Sequence, residues 1–197
     1  MNAFLLYPLY LAALVGGIAV LVIMGRRGVS WPVRLWVGVT MSAGMGLVMF
    51  RISEPPDLFS DLYKAYYPAA KAILAENGTS RLAETMRQGA GGFVNLPILG
   101  WLFAPFGLFP PTEAGYAFLA LGVVATISAW YSLARLANLD RNQSLLLLFL
   151  FAANGPLHNS LREGNTTHFI LLLLVLGMWM TRRKRDFLAG LIFGFAA

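Results

Sequence analysis

Apolar residues run for the length of a bilayer in several parts of the chain, and the polar positions between them are few and bunched. About twenty apolar residues span the hydrocarbon of a membrane. The stretches 3–24, 33–50 and 112–136 meet that length, and 166–180 comes close. Three others are shorter: 97–109 before Pro110-Pro111, 144–153, and 187–197 at the end of the chain. Within 33–50, Gly38, Ser42 and Gly46 recur every four residues, a small-residue stripe on which a second helix packs closely.

The longest interruption is 51–97, too polar to sit in lipid. From Asp57 to Asn77 its apolar residues fall at Leu58, Phe59, Leu62, Tyr66, Ala69, Ala70, Ile73 and Leu74, a helical period. Asp57, Asp61 and Lys64 share the opposite face. Pro55-Pro56 and Asn77-Gly78 bound this helix, and Pro68 is expected to break or kink it. An amphipathic, aromatic-rich helix of this kind lies along the membrane surface. A second surface helix is expected at 80–87, where Arg81, Glu84 and Arg87 repeat every three residues, with Gly89–Gly92 as a joint behind it. Loops beyond about 12–15 residues are usually functional or disordered, and these periodic aromatics argue against disorder.

Composition agrees. With 58% hydrophobic and 12% charged residues, and a mean hydropathy of +0.66, the 197-residue chain has too little polar material to cover a water-soluble globule. The expected class is an all-α, polytopic membrane helical bundle with amphipathic surface helices in a long first outer loop. The absence of cysteine excludes disulfides and thiolate metal sites. The net charge of +6 suggests nucleic acid until its distribution is read. The 51–95 loop is neutral, with five basic and five acidic residues, while Arg26, Arg27, Arg34, Arg135, Arg141 and the run Arg182–Arg185 sit in turns between apolar stretches. That is how cytoplasmic loops look, and no nucleic-acid partner is expected.

Charge also orders the topology. With the 26–34 turn inside, 51–95 lies outside. If 97–109 turns back without crossing, the 135–141 and 182–185 turns both fall inside; a full crossing puts both outside, against the positive-inside tendency. A re-entrant or broken segment is therefore expected at 97–109, beside a polar cavity, since irregular backbone in a membrane survives only in protein or against water. Residues 1–24 lack a basic leader and a cleavage site and read as a retained helix. The final stretch stops inside an apolar run too short to span, so a longer protein is expected, its C-terminal part missing here.

Chemistry has two candidate homes. In the outer loop, Asp61 and Asp57 are candidate general bases. Against that, Asp57 after two prolines fits a helix N-cap, and Asp61 fits the wet face of an amphipathic helix. Lys64, Tyr63, Tyr66 and Tyr67 suit a lipid phosphate or a sugar face, and equally suit anchoring at headgroup depth. The second polar island runs from His158 to His168. There Arg162 suits a phosphate oxygen, and Asn165 and His168 point into a cavity from a helix start, or the whole is a hydrated turn with Asn165 or Thr166 as a cap. The histidines show no metal-ligand spacing. No Gly-rich phosphate loop and no nucleophile elbow is present.

These residues resemble a family. Asp61-Leu-Tyr-Lys-Ala-Tyr66-Tyr67-Pro-Ala69-Ala70 resembles the first outer-loop signature of the GT-C glycosyltransferases of family 87. Those are polyprenyl-phosphate-mannose-dependent α-mannosyltransferases and their relatives. Phe93-Val-Asn95-Leu-Pro97 through Pro105-Phe-Gly-Leu-Phe is similar to the aromatic-x-x-Pro entry to a short membrane helix. Gly164-Asn165-Thr-Thr-His168 is similar to the family's Gly-Gln-x-Asn helix. The Arg182–Arg185 run and Ala189-Gly190-Leu-Ile-Phe-Gly194 are similar to its basic turn and Ala-Gly-x-x-x-Gly helix. The Asp-to-Tyr spacing is one residue longer than the family's, which keeps both Asp61 and Asp57 as candidates.

The resemblance covers residues 33–197, leaving 1–32 as an extra N-terminal helix and turn, and the outer loop as 51–96. It implies a glycosyltransferase that moves a sugar, mannose, from a polyprenyl-phosphate donor to a lipid or glycan acceptor hydroxyl. The reaction would run at the outer face of a multi-pass protein of the bacterial inner membrane. The implied base is Asp61 or Asp57, with Arg162, Lys64, Tyr66, Tyr67, Asn95, Asn165 and His168 on the donor phosphate and substrates, and no metal or cofactor. The alternative from another class is a non-catalytic membrane subunit, a lipid-handling scaffold or a truncated inactive paralogue. A transporter would show inverted repeats and charges at mid-membrane, and neither is seen.

Overall fold

The computed structural model describes residues 3–52, 58–87 and 97–196, and among them every regular element is helical. In chain order these are α1 (Ala3–Arg26), α2 (Trp31–Ile52), a π-helical turn (Leu62–Tyr66), α3 (Tyr67–Leu74), α4 (Gly78–Arg87) and α5 (Pro97–Phe103). A 3-10 turn (Ala104–Leu108) follows, then α6 (Pro111–Leu136), α7 (Arg141–Ala152), α8 (Gly155–Glu163), α9 (Thr167–Arg182) and α10 (Asp186–Ala196). Among the described residues, three helical stretches are long and apolar enough to cross a membrane: Pro8–Arg26, Trp31–Phe50 and Pro111–Leu136. The chain is thus an all-α membrane protein of the helical-bundle class. Asp57 and Asn95 lie outside the described residues.

The chain divides into two compact units. One comprises residues Met1–Ser53, Ile127–His158 and Leu171–Ala197; the other comprises Glu54–Thr126 and Asn159–Ile170.

In the first unit, the small-residue stripe of α2 has found its partner. α2 packs against α7, and Gly38 lies so close to Leu145 that an added Cβ would fall 2.5 Å from its side chain. Ser42 is buried in the same row, and Gly46 sits against His158. α1 joins them through Gly17, which faces the Phe149 ring, and through the Tyr10 hydroxyl, which donates to the Ala153 carbonyl at 2.7 Å. Gly38→Ala should lower stability by about 1–3 kcal/mol, the usual cost of overpacking. Gly44→Ala, with nothing within 4 Å of the added atom, should change it by less than about 0.5 kcal/mol. Thermal unfolding of the two variants side by side in detergent checks this.

α7 is longer than its apolar run suggested. Asp140 accepts from the Asn142 and Gln143 amides and Gln143 reaches back to the Asp140 amide, a full capping box that starts the helix at Arg141 rather than near Ser144. After Ala152 the direction turns by 55° into α8, which begins with Asn154 accepting from the Leu157 amide. The basic turns meet at one end of this unit. Arg34 hydrogen-bonds Asn142, Arg141 stands 5.5 Å over the Trp31 ring, and Arg182 donates to the Leu136 carbonyl. α2 therefore begins, and α6 ends, at a common basic end.

In the second unit the core gathers Phe59, Leu62, Tyr66, Ala69, Ala70, Ile73, Leu82, Phe103 and Phe118. The expected single helix over 57–77 is corrected in three respects. Among the described residues, helical backbone begins only at Ser60, behind Phe59, whose φ of 63° stands in the left-handed region. Next, helical backbone continues through Pro68, with a π-helical turn just ahead of it. The proline has no N–H for the Lys64 carbonyl and its ring crowds that oxygen, so the turn before it widens and the Tyr67 amide bonds Leu62, five residues back. Finally, the helix stops at Leu74, short of Asn77 in its left-handed turn.

The segment before Pro110 is broken. α5 has seven residues and the 3-10 turn five, together about 20 Å against the roughly 30 Å of hydrocarbon. Both pack on α3, and Gly107 comes so near Ala70 that an added Cβ would lie 3.0 Å from its backbone.

Candidate functional site

Two stretches a hundred residues apart meet inside the second unit. The backbone makes the first link: the Phe59 amide donates to the Arg162 carbonyl at 2.8 Å. A left-handed conformation is unfavourable for a bulky residue, by roughly 1–2 kcal/mol. Here packing holds it, because the Phe59 ring is 2% exposed, edge-on to Tyr63 and Tyr116, and fits over Gly115, where a Cβ would stand 2.4 Å from it.

The second link is Gly164. Its φ is +72° and an added Cβ would lie 2.7 Å from the Leu62 Cβ. Only glycine lets the α8–α9 turn fold left-handed and touch the π-helical turn at once. One residue further on, the Asn165 Nδ2 donates to Asp61 Oδ2 at 3.3 Å.

The orientation of that amide follows from its other end. Asn165 Oδ1 accepts from the Thr167 amide at 2.9 Å and from the Thr167 hydroxyl at 2.8 Å, which caps α9. With the oxygen committed to two donors, the NH₂ group must face the Asp61 carboxylate. Asn165 is thus both the helix cap and the partner of the candidate base.

Behind it stands His168, completely buried. Its Nδ1 is 3.1 Å from Ser160 Oγ, and Ser160 in turn bonds the Asn165 carbonyl at 3.4 Å. The opposite nitrogen, Nε2, is buried without a partner and faces Gly122 of α6, where a Cβ would sit 2.5 Å away. A protonated Nε2 would leave a buried donor unpaired, so the proton belongs on Nδ1, donated to Ser160, whose hydroxyl donates to Asn165. His168 is therefore held inside the unit, bonded to Ser160. It braces the turn that carries Asn165, and Gly122 makes the room. The sequence offered one signal for this, a glycine within the apolar run of α6.

The other proposed residues separate. Tyr66 is buried and stacks on Phe103 with ring centroids 4.4 Å apart, a core position on the apolar stripe that includes Leu62 and Ala69. Tyr67 donates its hydroxyl to the Phe109 carbonyl at 2.9 Å, which ties α3 to the end of the 3-10 turn, and its ring lies under Lys71. Tyr63 is half-buried beside Phe59. Burial first, then the phenols of Tyr116 and Tyr67, raise its pKa above the ordinary phenol value, so it remains a protonated donor at neutral pH. Lys64 is exposed, Asp61 and Arg162 are half-buried, and the Arg162 backbone is fixed by Phe59. Among the described residues no group of three His, Asp or Glu side chains is placed to hold a metal ion.

The arrangement puts one carboxylate, held by a neutral amide, beside an arginine-bearing turn and an exposed lysine. That is equipment for taking a proton and steadying an anion. Against known proteins, the family model described as glycosyltransferase family 87 matches residues 93–197, more than half of the chain and inclusive of Arg162, Asn165 and His168. No curated protein and no solved structure matches.

Proposed function

We propose, from the premise that this chain belongs to glycosyltransferase family 87, that it transfers a sugar, mannose, from a polyprenyl-phosphate donor to an acceptor hydroxyl at the outer face of a bacterial inner membrane. The observation that carries the site is the Asp61–Asn165 hydrogen bond, which joins the outer-loop helix to the turn matched by the family model. Asp61 takes the proton of the acceptor O–H as its oxygen attacks the anomeric carbon. The bond from that carbon to the phosphate oxygen breaks, polyprenyl phosphate departs with the electron pair, and the anomeric centre inverts. Arg162, with Lys64 at the exposed edge, offsets the charge that grows on the leaving phosphate. Asp57 stands as the second candidate base and Asn95 as a further substrate contact.

Orientation follows from the basic end of the first unit. Turns rich in arginine favour the cytoplasmic side. With the start of α2 and the end of α6 both there, the intervening residues 53–110 make no net crossing and belong outside. Residues 1–32 then form an added N-terminal helix and turn ahead of a transferase module that begins at 33.

The test is transfer of labelled sugar, in membranes carrying the full-length gene product, from a panel of polyprenyl-phosphate and nucleotide-linked donors. Label should reach product from polyprenyl-phosphate mannose and from no nucleotide sugar. Transfer from a nucleotide sugar in membranes depleted of polyprenyl phosphate would overturn the donor assignment.

A further inference from the structure

A groove of about 550 Å³ opens in the first unit between α2, the second half of α6 and α7, and none of its lining residues belongs to the Asp61–Asn165 cluster. Its two ends differ in chemistry. At the basic end stand Trp31, Arg135 and Arg141; deeper in, Leu35, Val39 and Leu148 make apolar walls. From Trp31 to Val39 is eight helical residues, about 12 Å. On the floor, the Trp130 N–H is committed to the Ser144 carbonyl at 2.9 Å.

The cations have hydrogen-bond and ring contacts but no counter-charge among the described residues. Arg141 and Arg34 lie 5.5 and 5.8 Å from the Trp31 ring centre, and the Arg34 Nε is buried without a partner. Among the described residues, no carboxylate pairs with Arg34, Arg135 or Arg141. The nearest acid in sequence, Asp140, spends its side chain on the first amides of α7. A surplus of positive charge thus rims an aromatic shelf above an apolar trough.

We propose that this groove binds one anionic phospholipid of the surrounding leaflet, its phosphate at Arg135 and Arg141 and its acyl chain along Val39 and Leu148. Charge complementarity names the occupant. A second copy or a further helix of the chain would bring apolar side chains and leave the guanidiniums desolvated without anions, which is costly. A zwitterionic lipid adds its own cation beside them. Attraction of about 1 kcal/mol per basic residue at an anionic surface corresponds to a preference of roughly 5–30-fold.

The experiment uses the full chain in lipid nanodiscs, with Trp36, Trp101 and Trp179 replaced by Phe so that Trp31 and Trp130 alone report. Brominated phosphatidylglycerol or brominated phosphatidylcholine is titrated into an unlabelled phosphatidylcholine bilayer, and indole quenching is followed. Half-quenching is expected at a 5–30-fold lower mole fraction of the brominated anionic lipid. In the Arg135→Gln/Arg141→Gln variant the two midpoints should converge to within twofold, and in Arg135→Gln alone the preference should fall to about fivefold, with helicity unchanged by circular dichroism. Equal midpoints in the parent, an unaltered preference in the variants, or protection of the indoles from both lipids by another segment or a second copy would each overturn the proposal. So would reversal of quenching by excess inorganic phosphate, which would make the site a reader of free anions.

Discussion

Asp61→Asn should reduce sugar transfer by about 10²–10⁴-fold, the span ordinarily supplied by a positioned general base. The substitution keeps the shape of the side chain, and its oxygen still accepts the Asn165 amide, so the contact between the π-helical turn and the α8–α9 turn survives. What disappears is the ability to carry the acceptor's proton. Initial rates with polyprenyl-phosphate mannose at saturating acceptor, alongside thermal unfolding, separate the two effects. The loss should fall on the maximal rate with the melting temperature unchanged. A rate within about threefold of the parent would remove Asp61 from the chemistry and direct attention to Asp57.

Gly164→Ala should have a large structural effect for a single methyl group. The left-handed backbone costs alanine about 1–2 kcal/mol, and the methyl must push against the Leu62 Cβ, which cannot rotate away, for about 1–3 kcal/mol more. Together these lower the melting temperature by roughly 4–20 °C for a chain of this size. Gly155→Ala, at the start of α8 with open space around it, is the control and should melt with the parent. Because Gly164 sets the approach of Asn165 to Asp61, transfer should fall with stability in the first variant and in neither respect in the second. An unchanged melting temperature for Gly164→Ala would mean that the turn does not pack on Leu62.

Local pattern announced some of this and withheld the rest. The stripe Gly38, Ser42, Gly46 predicted close helix packing and obtained it in α2 on α7, because small residues at a period of four leave few other uses in a membrane helix. Tyr66 could have been assigned to the core from its place between Leu62 and Ala69, and phenol chemistry drew it towards substrate instead. Asn165 as a helix cap was readable from residue type, whereas its second bond, to Asp61, depends on a contact across more than a hundred residues.

His168 shows the same divide. A histidine at a helix start suggests a ligand, and only the tertiary placement of Gly122 turns it into a buried brace. Phe59 was beyond reach, since no propensity places phenylalanine at a φ of 63°. The Arg162 carbonyl and Gly115 dictate it from outside the segment. The early start of α7 was legible after the fact, in the Asp140–Gln143 spacing of a capping box.

The wide turn ahead of Pro68 carries a consequence for how the outer helix tolerates change. Closing a hydrogen-bonded ring over five residues instead of four inserts one residue into the winding, a phase advance of about 100° for everything downstream. Asp61 precedes that advance, Tyr66 lies at its end and Ala69 and Ala70 follow it, so the carboxylate is aimed at Asn165 while the aromatic and alanine faces meet the core. Substitutions on the exposed side of this helix leave its phase alone. Loss of a single residue within Leu62–Tyr66 would close the wide turn to an ordinary one and keep both halves in phase, whereas loss of one between Tyr67 and Leu74 would turn everything after it by about 100°.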